Sequence, residues 1–195
     1  MSALYKARLG QRADLIKTLR QQVNLPPPRS GEAEDGILRF DEKLLFKQGQ
    51  AVLKPEGQAL LRKLGKQMEK ELPCYVSTTA PLPCKQPKAI LEAVYVEGHT
   101  DSSPFAPGAR DNWVLSSERA IAAYRALIGS TGNTGRHPLE TLRNARGKEN
   151  LIGISGYADR RKIDLKRDDP NRRVDLRFVL AAPSSTEQAA SSGQP

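Results

Sequence analysis

The sequence predicts an α+β fold: a βαβαββ two-layer sandwich with a mixed four-stranded sheet, helices on one face, and an additional N-terminal helix. Three observations lead there. Apolar residues recur at helical spacing in residues 55–72 and 112–128. Runs rich in Ile, Leu, Val and Tyr at 89–97 and 151–154 read as strands. From Arg173 to Leu180, charged and apolar side chains alternate with the period of a strand. A strand–helix–strand unit makes a parallel crossover, and the closing strands can then pair antiparallel.

Taken in order, residues 4–23 read as a helix. Leu9, Ile16 and Val23 recur every seven residues, with Tyr5 and Leu19 on the adjoining seam, interrupted by Arg12. The run is too short for a coiled coil; it reads as a helix that leads into the domain or as one that packs on it. Pro26, Pro27 and Pro28 end it. This divides the chain into an N-terminal helix (1–24), a linker (25–35), a globular domain (36–180) and a disordered tail (181–195) of Ala, Ser, Gln and Pro. In the domain, residues 37–40 and 44–46 are strand-like. Pro55 opens a helix that buries Leu60, Leu61, Leu64, Met68 and Leu72, and Pro73 stops it. The strand at 89–97 ends at Gly98. The helix at 112–128 is expected to bury Ala120, Ile121, Tyr124, Leu127 and Ile128. Residues 138–146 form a short helix on Leu139 and Leu142, and a charged loop at 157–171 precedes the last strand.

Composition narrows the function. Of 195 residues, 38% are hydrophobic and 5% aromatic, so the core occupies only part of the chain. The formal charge of +9 favours anionic partners or reflects a solubilising surface. The basic clusters at 136–148 and 160–173 lack the interleaved aromatics of a single-strand stacking platform, so no nucleic-acid partner is expected. No apolar run reaches the roughly 18–20 residues of a membrane span, and no signal-peptide core opens the chain. The chain is therefore read as cytoplasmic or as a fragment of a longer protein. Cys74 and Cys84 lie in one Pro-rich loop. They are either unrelated thiols or a disulfide worth roughly 2–3 kcal/mol, which points to an oxidising compartment. His99 and His137 are not spaced to complete a metal site with them, and no cofactor or metal is expected.

Three motifs carry a family resemblance. Phe46, Gly49, Ala51, Leu53, Pro55, Glu56 and Gly57 form a loop leading into a helix. Val96-Glu97-Gly98-His99-Thr100-Asp101 is followed by Asn112-Trp113, Leu115-Ser116 and Arg119-Ala120. Ser155-Gly156-Tyr157 is followed by Asn171-Arg172-Arg173-Val174. Together, in this order, they resemble the OmpA-like peptidoglycan-binding domain, and the Phe46-to-Leu53 spacing with Asn112-Trp113 is most similar to the MotB type.

The resemblance implies non-covalent binding of the diaminopimelate in the peptidoglycan stem peptide, without catalysis. Its free end carries an ammonium and a carboxylate on one carbon, which call for one fixed carboxylate and one guanidinium fork. By analogy Asp101 takes the amine and Arg119 the carboxylate, with Thr100, Asn112, Leu115 and Arg172 lining the cleft. Arg119 falls away from the stripe of Ile121 and Tyr124 on a helical wheel, so both clamp residues are expected to be partly exposed.

Each residue has a plainer reading. Asp101 and Arg119 would be a structural ion pair, Asn112 a helix cap, Arg172 a solvated strand end, Trp113 packing, and His99 a hydrogen-bonded structural side chain. The resemblance further implies a periplasmic location, a homodimer, and a MotA-like channel subunit reached through a missing transmembrane segment, with the N-terminal helix (1–24) as the juxtamembrane link. The flagellar motor and Zorya-like anti-phage stators both fit, and an outer-membrane anchor of the Pal kind is the alternative. The long 74–84 loop, the 136–150 insertion and the charged 157–171 stretch depart from the family pattern.

Overall fold

Alternation along the strands decides which side of the sheet becomes the core. In the computed structural model, which describes residues 3–27, 31–47, 49–76, 84, 90–103, 111–129, 137–183 and 185, there are four strands. They are β1 (Ile37–Asp41), β2 (Leu91–His99), β3 (Ile152–Gly156) and β4 (Arg173–Leu180). They form one sheet in the order β1-β4-β2-β3, with β2 and β3 parallel and the other neighbours antiparallel. Register aligns Leu38 with Leu176, Val96 with Leu176 and Val94 with Phe178, and all of these side chains are buried. The expected mixed four-stranded α+β architecture with an N-terminal helix is present.

The helices are α1 (Ala3–Gln22), α2 (Glu42–Leu45), α3 (Pro55–Glu71), α4 (Pro73–Val76), α5 (Asn112–Ile128) and α6 (Pro138–Thr141). Pro55 occupies the first turn of α3, where its missing N–H costs nothing. Two glycines let α5 approach its neighbours. A Cβ on Gly65 of α3 would lie 1.9 Å from the Leu127 carbonyl oxygen, and one on Gly98 of β2 would lie 1.9 Å from that of Ser116. Helix α5 is therefore seated at backbone contact against both α3 and β2.

Helix α1 packs on the domain, the second of the two readings its pattern left open. Leu15, Ile16, Leu19 and Val23 join the same core as Leu38 and Phe178. Each large aliphatic so buried contributes about 1.5–3 kcal/mol. Arg8 donates to the Ala181 carbonyl at 3.0 Å, Arg12 to that of Phe178 at 3.3 Å, and Gln22 to Glu71 at 2.8 Å.

Several local expectations are corrected. Residues 44–46 are not a strand: Glu42–Leu45 makes one helical turn, and only Phe46 bridges, to Leu53. Gly98 does not end β2. It pairs with Gly156 and Val174, and the strand runs on to His99 because the missing side chain is what admits α5. Ile121 is exposed, while Ala123 and Ala126 are buried: close packing of α5 selects small residues, not the bulkiest ones. The helix at 138–146 is only Pro138–Thr141, capped by His137, and Arg143 then bridges to Asn150. The disulfide Cys74–Cys84 is formed, with Cα atoms 5.5 Å apart. The tail expected from 181 falls largely outside the described residues.

Candidate functional site

The expected cleft residues meet where β2 ends, α5 begins and β4 begins. Asp101 lies two residues past β2, and its Oδ1 accepts the Ser103 N–H at 3.0 Å. Asn112 braces the same turn, donating to the Ser103 carbonyl at 3.2 Å. The cap of α5 is Asp111, which accepts the Val114 N–H at 2.8 Å. Asn112 is therefore not the cap, and its amide is left to hold the turn. Leu115 is buried, and Thr100 is buried with its hydroxyl lacking a hydrogen-bond partner among the described residues.

Neither clamp residue is exposed as expected. Asp101 is 5% accessible and Arg119 1%. The wheel argument placed the buried stripe on Ile121 and Tyr124. The true stripe, Ser116–Arg119–Ala120–Ala123, carries Arg119 inward. Its Nε donates to the Gln50 carbonyl at 3.0 Å, and one terminal nitrogen makes a short contact to Glu42. The guanidinium carbon lies 5.5 Å from the centre of the Phe46 ring. The other terminal nitrogen, Nη1, is buried with no partner among the described residues.

Arg172 joins the two halves. Its Nε meets Glu42 Oε2 at 2.9 Å, one Nη donates to Asp101 and the other to Asp169. It is a quarter exposed and walls a concavity of about 550 Å³ formed with residues 41–43 and 167–170. Asp101 and Arg119 stand behind it. Burial acts to raise the Asp101 carboxyl, but the bonds from Arg172 and Ser103 hold it below the usual carboxylate range. Burial lowers the Arg119 pKa against the opposing pull of Glu42, with Asp101 close enough to act on it as well. Arg172 is also penalised by burial, yet Asp101 and Glu42 raise its pKa.

Sequence reasoning missed Glu42 and the structural use of Asn171. Glu42 sits four residues ahead of the first motif, and its only signal is an acid immediately after a strand-like run. Its own N–H donates to the Arg172 carbonyl at 2.9 Å, which fixes it against β4. Ser116 is another link: its hydroxyl donates to the Trp113 carbonyl and accepts the Ala158 N–H, each at 3.0 Å. One plainer reading fails, and another holds in burial but not in hydrogen bonding. Trp113 is 48% exposed and is not core packing. His99 stacks on Tyr157 with ring centres 5.5 Å apart, and neither ring nitrogen has a hydrogen-bond partner among the described residues.

A second charged group covers the opposite face of the sheet. Asp175 takes Arg39 at 2.9 Å and Arg173 at 2.9 Å, and Glu97 takes Arg177 at 2.9 Å. His99 Nε2 stands 3.7 Å from both Glu97 and Asp175, longer than a hydrogen bond. Although these three could in principle ligate a metal, Asp175 is already held by two guanidiniums. A divalent cation would be repelled by them.

The model of the OmpA family matches residues 45–152. The chain belongs to the OmpA family. Glu42 and Arg172 lie outside the matched residues, so the family pattern covers Asp101 and Arg119 but not the two groups that connect them. The fold is that of MotB periplasmic domains. A putative MotB-like protein from Desulfovibrio vulgaris is 17% identical, with 91% of this chain and 99% of that one covered and a TM-score of 0.58. The periplasmic domain of Helicobacter pylori MotB is 18% identical, with 79% and 88% covered and a TM-score of 0.52. None of the curated protein sequences matches the chain. Among the described residues, no helix is long and apolar enough to cross a membrane.

Proposed function

We propose that this OmpA-family domain is a non-catalytic cell-wall anchor that holds peptidoglycan through the zwitterionic end of diaminopimelate. The observation that carries the reading is Arg119 Nη1, a charged donor buried beside Asp101 with no partner among the described residues. Buried polar groups are ordinarily satisfied, and a group that is not calls for an acceptor from outside.

Asp101 is paired with Arg172. A zwitterion can enter this chain without changing its charge balance. The ligand ammonium replaces Arg172 on Asp101, and the ligand carboxylate receives the released Arg172 together with Arg119 Nη1. Thr100, whose hydroxyl also lacks a partner, stands next to the ammonium end. Because existing ion pairs are exchanged and not simply added, one site should bind with a dissociation constant on the order of micromolar to millimolar. Pairing of two such domains would raise the avidity for a repetitive polymer. In this reading the domain is the periplasmic part of a MotB-like stator subunit, a homodimer tethered to a MotA-like channel through a transmembrane segment.

Sacculus pull-down, with calorimetry on a stem-peptide fragment, tests the clamp. Asp101→Asn and Arg119→Lys should each weaken both kinds of binding at least tenfold, since one removes the anion and the other the planar fork. Parent-like binding by either variant would place the wall contact elsewhere.

A further inference from the structure

The charged stretch that departs from the family pattern is held rigid. Asn171, buried at the start of β4, is bonded on all sides: its Oδ1 accepts from Ile163 N at 2.9 Å and Asp164 N at 3.1 Å. Its Nδ2 donates to the carbonyls of Asp164 at 2.7 Å and Arg167 at 3.0 Å. Arg173 adds a bond to the Arg161 carbonyl at 3.0 Å. Despite this anchoring, the loop holds Leu165 out at 90% exposure, with Ile163 exposed beside it.

Residues 160–167 carry five cations and one carboxylate. That carboxylate, Asp164, is turned back onto Lys166 N, Arg167 N and Arg167 Nε. Leu165 and Ile163 thus stand outside the buried core although the loop that carries them is fixed.

The loop is continuous with the candidate cleft. Arg160 lies 6.0 Å from the centre of the exposed Trp113 ring, and Lys162 bonds the Ser102 hydroxyl at 3.1 Å, within the Asp101 turn. Arg167 walls the same concavity as Arg172. We infer that Trp113, Leu165 and the cations Arg160, Lys162 and Lys166 form a second subsite that takes the glycan strand bearing the stem peptide. This rests on the wall-binding reading. Sugar rings present apolar C–H faces that pack on an aromatic ring or an aliphatic tip, and the neighbouring peptides carry carboxylates that suit the cations. A membrane surface would also suit basic and apolar groups. It fits less well, because the loop adjoins the wall-binding cleft.

The test uses the full chain, in which Trp113 is the only tryptophan and reports directly by fluorescence. Peptide-free glycan chains of N-acetylglucosamine and N-acetylmuramic acid should change Trp113 emission in the parent and in Asp101→Asn alike. A Trp113→Ala/Leu165→Ser variant should lose about tenfold in sacculus binding while keeping parent affinity for the stem-peptide fragment. Lys162→Glu/Lys166→Glu should weaken sacculus binding and flatten its salt dependence. Parent-like sacculus binding by the tip variants, or a fluorescence response to phosphatidylglycerol vesicles and none to glycan, overturns the inference. Failure of the clamp would look different: Asp101→Asn would hold sacculi like the parent while the tip variants lost them.

Discussion

Two networks of buried charge among the described residues differ in what their unsatisfied atoms face. On the face of the sheet away from α5, Glu97, His99 and Asp175 project from β2 and β4 among Arg39, Arg173 and Arg177. Their unpartnered atoms, Glu97 Oε2 and the two His99 nitrogens, belong to neighbours: Nε2 stands 3.7 Å from Glu97 Oε2. A proton could close that gap. At the cleft, Glu42, Asp101, Arg119 and Arg172 come from a helical turn, a loop, a helix and a strand start, and the unpartnered Arg119 Nη1 needs an acceptor that the described residues do not supply. Arg39, Glu97, His99, Arg173, Asp175 and Arg177 of the first network all stand on paired strands. The second depends on Arg172, which is a quarter exposed. Burial of charge alone therefore does not mark a binding site; the proposed clamp rests on a buried donor with no partner among the described residues, next to the Glu42–Arg172 pair.

The comparison is broken most directly at Asp175. Asp175→Ala leaves Arg39 and Arg173 facing each other with their shared anion gone, and should destabilise the fold by about 3–5 kcal/mol. Denaturant unfolding measures this, and any folded fraction should still bind sacculi. Arg172→Ala should do the reverse. It should cost the fold only about 1–3 kcal/mol, because Asp101 keeps the Ser103 N–H and Glu42 keeps Arg119, while sacculus binding is lost. If Arg172→Ala proves the more destabilising of the two, the division between a structural and a functional network fails.

Acid separates the networks by a smaller effect. Burial lowers the His99 pKa, with Glu97 opposing, so the unfolded chain takes up this proton near pH 6.5 before the folded one does. Stability should be complete above about pH 6.5 and fall as pH drops from there towards the folded value. Burial works against the Asp101, Asp175 and Glu97 carboxylates, but their cationic partners win and hold all three below the ordinary range. Their contribution is present above about pH 4 and lost as pH falls through the folded values. Thermal unfolding against pH should thus show two steps in the parent and only the acid step in His99→Gln. A neutral-side step that persists in His99→Gln would assign it to another group.

The two networks also show how far the sequence could be read. The alternation of Arg173, Asp175 and Arg177 with Val174, Leu176 and Phe178 made β4 legible, because a period of two follows from backbone geometry alone. It did not reveal that Arg173 and Asp175 would be buried, since the way the preceding loop, with Tyr157 and Arg161, folds back over that face has no periodic signal. Asp101 was legible from its motif. Arg119 was legible as a residue but not in its orientation: a helical wheel ranks faces by hydrophobicity, and α5 is seated by Gly65 and Gly98, which favour small residues at the contact.

By itself the sequence determined the fold class, the chain order of the main strands and helices, and the place where Asp101 would emerge. These rest on local rules: period, proline and glycine punctuation, and the covalent proximity of residues within a motif. Tertiary structure alone decided that α1 docks, that Glu42 stands between Arg119 and Arg172, and that Arg160 reaches over the Trp113 ring. Glu42 and Arg172 are 130 positions apart in the chain, yet their ion pair is 2.9 Å long. The antiparallel register of β1 on β4, Asp41 opposite Arg173, brings them together, and no local pattern in either segment encodes that pairing.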